Sequence, residues 1–170
     1  MNELAGVLDK LKSRFGERMW QYSPFREGVN HRIVVPADQL YAFLEFLKDD
    51  CGFDLLSDIT CVDYLHYRGA RDRFGLVYNL VSTTSNLRLI VRCYLNEPDL
   101  KVPSAYPLWK GADWFEREVY DMYGIEFEGH PDLRRILLPE EFVAYPLRKD
   151  YPLRGRGERH NFERIARGES

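Results

Sequence analysis

The sequence predicts an α+β fold: a mixed, largely antiparallel sheet with helices on one face, followed by an extended, proline-rich C-terminal arm. Three observations carry this expectation. Apolar residues recur three or four positions apart over 3–15 and again over 40–47. Three runs rich in Ile, Val, Leu and Tyr lie between 55 and 95, separated by polar turns. From 131 onward, Pro131, Pro139, Pro146 and Pro152 exclude a long helix or a central strand. The expected division is an α+β domain over 1–128 and a partner-docking arm over 129–170.

The elements follow in order. Leu4, Val7, Leu8, Leu11 and Phe15 mark an amphipathic helix that ends near Gly16. Pro24 and Gly28 make 19–30 read as a loop. His31–Val35 is a short strand stopped by Pro36. Asp38 is expected to cap a second helix, whose apolar positions include Leu40, Tyr41, Phe43, Leu44 and Leu47, with Cys51-Gly52 closing it. Leu55–Tyr67, Phe74–Ser82 and Leu87–Leu95 read as strands, with a polar turn over Gly69–Arg73. The last two form an antiparallel hairpin across Thr83-Thr84-Ser85-Asn86. Pro98, Pro103 and Pro107 then break regular structure. Asp113 and Glu116 have capping-box spacing ahead of a third helix. Its apolar stripe is Phe115, Val119 and Met122, with Gly124 supplying the left-handed end. Glu116, Arg117 and Asp121 fall outside that stripe.

Composition narrows the function. Hydrophobic residues are 45% and charged residues 30% of a 170-residue chain, enough for one domain with a sizeable core. A net charge of -3 argues against general nucleic-acid affinity. The charge is unevenly placed: 130–170 hold nine Lys+Arg against seven Asp+Glu, so a basic tail follows an acidic body. No apolar run of about 18 residues exists to span a bilayer, and the first twenty residues lack the apolar stretch of a signal peptide. Cys51, Cys61 and Cys93 are widely spaced with no CxxC pair, which suits buried thiols in a reducing compartment.

Candidate chemistry is sparse. Glu116 and Glu118 are two apart on a helix and so point in different directions. Together with Asp121 they read better as partners of arginines than as acid–base groups. Arg117, Arg134, Arg135 and Arg148 are the natural donors. His130, in Gly-His-Pro, reads as a hydrogen-bonded turn residue. His31, His66 and His160 show no ligand spacing. There is no GxGxxG, Walker loop or HExxH. No catalytic, cofactor-binding or metal-binding residue is therefore expected. The arm offers arginines, tyrosines and stiffening prolines, the makings of an interface strip. Leu133–Pro139 sets cations beside large aliphatics, which suits a partner groove with an apolar floor and acidic rim. The same segment also suits a strap folded back over this chain's own sheet, and both readings can hold in different parts.

Glu116-Arg117-Glu118-Val119-Tyr120-Asp121-Met122-Tyr123-Gly124-Ile125-Glu126-Phe127 is followed by Gly129-His130-Pro131-Asp132-Leu133-Arg134-Arg135-Ile136-Leu137. This resembles the signature of the 30 kDa-type (C-type) subunit of proton-translocating NADH–quinone oxidoreductase, respiratory complex I. Pro146-Leu147-Arg148-Lys149-Asp150-Tyr151-Pro152-Leu153 is similar to a second block of that family. The resemblance covers nearly the whole chain, and its residues are uncommon ones.

The resemblance implies a structural subunit without a redox centre, in the hydrophilic arm of a complex that uses NADH, FMN, iron–sulfur clusters and quinone. Those groups are held elsewhere in the complex. Its partners would be the quinone-site (D-type) subunit above all, then the two iron–sulfur subunits of B and I type, with membrane contact only through the complex. The implied location is peripheral, on the cytoplasmic side of the bacterial membrane. Ending at Ser170, the chain reads as the form not fused to the quinone-site subunit. The isolated chain is expected to be inactive. Residues expected at the partner interface are Glu116, Arg117, Glu118, Asp121, His130, Arg134, Arg135, Arg148, Lys149, Asp150 and Tyr151. Reversing Arg134 and Arg135 together is expected to release the chain while sparing its fold. Related subunits serve membrane-bound hydrogenases and ferredoxin-linked quinone oxidoreductases, so the electron donor stays open. A stand-alone enzyme using the Glu116–Asp121 carboxylates and an RNA-binding module are the readings of other classes. Residues 155–170 carry no assigned role.

Overall fold

The structure is a computed structural model and describes residues 2–16, 20–25 and 30–157. Helix α1 (Asn2–Phe15) buries Val7 and Leu11 and stacks Phe15 on Phe43, with ring centroids 3.8 Å apart. It stops at Gly16, which takes φ +73° and donates its N–H to the Lys12 carbonyl at 2.9 Å.

A five-stranded sheet follows, in the order β1-β2-β5-β4-β3. Strands β1 (Gln21–Phe25) and β2 (Asn30–Val35) are antiparallel, and β2 lies parallel to β5 (Arg88–Leu95). Strands β3 (Leu55–Asp63) and β4 (Phe74–Val81) complete an antiparallel meander with β5. The mixed, mostly antiparallel α+β sheet is thus present. The first strand, however, lies within the stretch expected to be a loop. Pro24 lacks only a donor, and at the sheet's edge no neighbour needs that donor. Pairing with β2 supplies the rest: Tyr22 Oη meets His31 Nδ1 at 3.0 Å, and Arg32 Nε donates to Ser23 Oγ at 3.1 Å.

One sheet face is apolar throughout. Ile33, Val35, Ile59, Cys61, Phe74, Leu76, Tyr78, Leu80, Leu89, Val91 and Cys93 are buried in a single core. A bulge between Leu56 and Asp58 puts both Leu56 and Ile59 on that face although they are three residues apart. Helix α2 (Leu40–Asp49) covers it with Leu40, Phe43, Leu44 and Leu47, all fully buried. Each such side chain contributes about 1.5–3 kcal/mol relative to exposure. Asp38 is not a helix cap. Pro36 begins a 3-10 turn over Ala37–Gln39 that runs into α2, and no side chain caps it.

Strand β3 ends at Asp63 rather than Tyr67, because the Asp63 carboxylate accepts the Leu65 N–H at 2.9 Å and starts a turn. After β5, the three-residue strands β6 (Lys101–Pro103) and β7 (Glu126–Glu128) pair in parallel around helix α3 (Ala112–Tyr123). They are too short for alternation to reveal, with Val102 and Phe127 alone buried. From Gly129 to Gly157 the chain forms turns and bends with neither helix nor strand. Glu158, Arg159, His160 and Asn161 lie outside the described residues.

Candidate functional site: helix α3 and the arm

Helix α3 does not carry the capping box its spacing suggests. Its N-cap is Gly111, without a side-chain cap bond. Glu116 instead turns inward and is fully buried, accepting the Ser104 hydroxyl at 2.6 Å and the Ala105 N–H at 2.6 Å. Burial pushes its pKa up to about 7, against the opposing pull of those two hydrogen bonds. The His130 side chain, also fully buried, stands 4.0 Å from Glu116 and 3.5 Å from the Asp113 carboxylate. Its Nδ1 accepts the Asp132 N–H at 3.0 Å, so the ring hydrogen sits on Nε2, facing the Asp113 carbonyl at 3.3 Å.

Asp121 is the second inward carboxylate and the arm's principal anchor. It is fully buried and accepts four donors from the arm: Arg135 at 2.7 Å, then the N–H groups of Ile136, Leu137 and Leu138 at 3.0, 2.8 and 2.9 Å. Burial raises its pKa, but the bonds from Leu138, Leu137, Arg135 and Ile136 together outweigh this and hold it below the usual carboxylate value. Arg135 also reaches the Asp121 and Ala144 carbonyls and lies over the Tyr145 ring. Glu116 and Asp121 therefore lie inside α3's buried surface rather than outside its stripe. Residues 104–105 and the arm supply the polar partners that the helix periodicity could not reveal.

A second clamp joins the arm to the sheet. Arg148 donates to the Tyr123 carbonyl at 2.6 Å and to Glu97 at 2.9 Å. Arg73 reaches Glu97 at 2.7 Å, Asp150 at 2.8 Å and the buried Asp63 at 3.4 Å. Asp63 also accepts the Lys149 N–H at 2.8 Å. Sequence reasoning missed Asp63, Arg73 and Glu97. They lie far along the chain from the arm, so no local pattern connects them.

The arm's polar anchors therefore point inward, while Leu133 packs against the core and four other aliphatics of the arm face outward. Leu137, Val143, Leu147 and Leu153 are 64%, 85%, 48% and 105% exposed. Arg117 holds the Arg134 carbonyl at 3.2 Å and lies over Trp114. Arg134 itself is exposed and pairs with Asp132 at 2.7 Å. Glu118 is exposed, with no hydrogen bond or ion pair among the described residues. Tyr151 packs near Phe142. The two arginines expected to be reversible together are thus unlike. Reversal at Arg135 would set a carboxylate against buried Asp121, so that half of the expectation is withdrawn.

Gly124 is the tightest point under the arm. It takes φ +75°, and a Cβ there would lie 2.5 Å from the Tyr145 ring and 2.9 Å from Arg148. Gly124→Ala is expected to cost about 2–4 kcal/mol from left-handed strain and overpacking. A urea unfolding midpoint would read this, and an unchanged midpoint would show that the arm gives way freely.

No three His, Cys, Asp or Glu side chains among the described residues are placed to hold a metal. The cysteines do not fit an iron–sulfur cluster. Cys61 and Cys93 flank Leu76 in the core, and burial pushes both thiols up to about 12.

Residues 33–157 match the family model described as respiratory-chain NADH dehydrogenase, 30 Kd subunit. A protein of Citrifermentans bemidjiense, named as the C-type subunit of NADH-quinone oxidoreductase, is 43% identical over 146 residues, covering 86% of this chain and 88% of that one. The solved trypsin-resistant fragment (1-134) of Nqo5 is 36% identical, with a TM-score of 0.68 over 77% of this chain and 99% of its own. A chain of an archaeal membrane-bound sulfane sulfur reductase shares the fold, at a TM-score of 0.75 and 23% identity over 98% of this chain and 96% of its own.

Proposed function

The chain belongs to the family of the 30 kDa subunit of respiratory-chain NADH dehydrogenase, and from that premise we propose a structural, non-catalytic role in the hydrophilic arm of NADH–quinone oxidoreductase. The complex carries electrons from NADH through FMN and iron–sulfur clusters to quinone and couples this to proton translocation. This chain holds none of those groups. Its C-terminal arm docks on the quinone-site subunit, with the two iron–sulfur subunits of B and I type adjacent. It reaches the cytoplasmic face of the membrane only through the complex. No helix of the described residues is long and apolar enough to cross a bilayer, which accords with a peripheral place.

The observation that carries this reading is the inverted arm. Glu116 and Asp121 are spent inside the chain, and Arg135, Arg148 and Asp150 are tied to it. They fix the arm's shape rather than grip a partner. The exposed groups, Leu137, Val143, Leu147 and Leu153 with Glu118, Arg134 and Lys149, are the ones left to meet a neighbour. A strip already held in place loses little entropy on docking, and large aliphatics contribute most of the gain.

The test is to purify a tagged copy from gently solubilised membranes and identify its companions by mass spectrometry. Flavin, iron–sulfur and quinone-site subunits are expected. Nickel–iron hydrogenase chains would move the protein to the sister assembly, and a solitary chain would refute the assembly role. Leu137→Asp with Val143→Asp is expected to lower recovery of the partners at least tenfold without moving the melting temperature. Normal recovery would remove these side chains from the interface.

A further inference from the structure

The sheet's outer face carries a second surface, away from the arm. Tyr64 and Tyr94 lean over Gly75, where a Cβ would lie 2.8 Å from one ring and 3.3 Å from the other. Tyr67 stands edge-on to Tyr64, with centroids 5.8 Å apart, and is 70% exposed. Between these rings and the turn that joins β3 to β4 lies an open cleft of about 470 Å³, lined also by Arg68, Arg71, Asp72 and Arg92.

The charges of this cleft are unbalanced. Arg68 and Arg71 are exposed and have no hydrogen bond or ion pair among the described residues. Arg92 has no carboxylate partner there. One of its terminal nitrogens is 3.4 Å from Tyr94 Oη, and its Nε is buried without a partner. Asp72 is the cleft's single acid and is engaged by Asn96 at 2.7 Å. Arg73, Arg135 and Arg148 are answered by carboxylates, Arg73 by three and the other two by one each. The arginines of this cleft are not.

We propose that the Tyr64–Tyr67–Tyr94 cleft is a docking site for an acidic segment of a neighbouring polypeptide, whose carboxylates pair with Arg68, Arg71 and Arg92 while its apolar groups rest on the tyrosines. Arginine forks match carboxylates bidentately, and Tyr and Arg are favoured anchors at interfaces. Charge complementarity selects the partner: three unanswered cations on a chain of net charge -3. The same residue types also suit single-stranded RNA, but a nucleic-acid strand needs a continuous basic track. The cleft is a local spot on an acidic body and takes one or two carboxylates. This inference rests on the multi-subunit reading above.

The test replaces Tyr67 with p-benzoylphenylalanine in the tagged full chain, irradiates the solubilised assembly and identifies the cross-linked peptide. The expected product is a peptide of another subunit with net negative charge, and Arg71→Glu is expected to lower its yield at least tenfold. A neutral or basic peptide, RNA, lipid, this chain's own residues 158–170, no product, or a yield indifferent to Arg71→Glu would each overturn the proposal. The co-purified subunits report separately on assembly. Partners recovered without an acidic cross-link sink the cleft alone, whereas a chain purified alone sinks the assembly role, and with no cross-link the cleft as well.

Discussion

Asp121→Asn is expected to destabilise the arm by about 3–5 kcal/mol while leaving the sheet folded. The carboxylate is fully buried and answers one guanidinium and three backbone N–H groups at 2.7–3.0 Å. An amide of the same shape keeps one acceptor oxygen but turns an NH₂ toward N–H donors. It also leaves Arg135 half-buried without its counter-charge. Removing one partner of a buried pair costs far more than the pair is worth on its own, because the remaining charge stays desolvated. The effect should be local, since the sheet's ladder and core do not depend on Asp121. Hydrogen exchange at the amides of Ile136, Leu137 and Leu138 is expected to quicken a hundredfold or more, with those of β4 unchanged. Uniform protection in both segments would show that the arm is held by something else. Loss of the whole fold would show that arm and sheet are one cooperative unit.

The second large effect is a pH dependence centred on Glu116. Its folded pKa, about 7, lies above the ordinary 4.5, so the fold favours the protonated acid. The stability this contributes is fully present below 4.5 and is lost as pH rises through 7. In that window the unfolded chain has released a proton that the folded chain still holds. At about 1.4 kcal/mol per pH unit, raising pH from 5 to 8 should remove about 2–3 kcal/mol. The groups facing Glu116 are Asp113, His130 and Tyr78, with the Ser104 hydroxyl. Asp121 and Asp150 act in the opposite sense, since both are held low and lose their contribution as pH falls into the acid range. Measurements between pH 5 and 8 therefore keep clear of those two aspartates, and the Glu116→Gln variant identifies the part of the slope that belongs to Glu116. Glu116→Gln should flatten the profile and match or exceed the natural chain at pH 8, because a neutral amide can still accept the Ala105 N–H. A variant whose midpoint fell with pH as steeply as the natural chain's would assign the slope to another group.

These two carboxylates also mark the limit of what helix periodicity can say. The spacing of Phe115, Val119 and Met122 located α3 and its Gly124 end, because an apolar stripe is a one-dimensional property of the chain. The same spacing placed Glu116 and Asp121 outside the stripe, because the stripe is traced by apolar residues alone. Both are buried, each with donors supplied by residues 11 to 17 positions away. A polar group at the edge of a stripe can face either way, and only the presence of partners decides.

By itself, the sequence determined the helices, the three strands β3, β4 and β5 with the β4–β5 hairpin, the lack of a long helix or central strand between Pro131 and Gly157 and the family, since each rests on local periodicity, prolines or a run of uncommon residues. The tertiary structure alone decided the edge strand through Pro24, the parallel pairing of β2 with β5, the short β6–β7 pair and the inward turn of the arm's charges. Those depend on contacts between residues distant in the chain. A hydrogen bond from Lys149 to Asp63, or an ion pair from Arg148 to Glu97, leaves no periodic trace, because its energy comes from proximity that the fold creates.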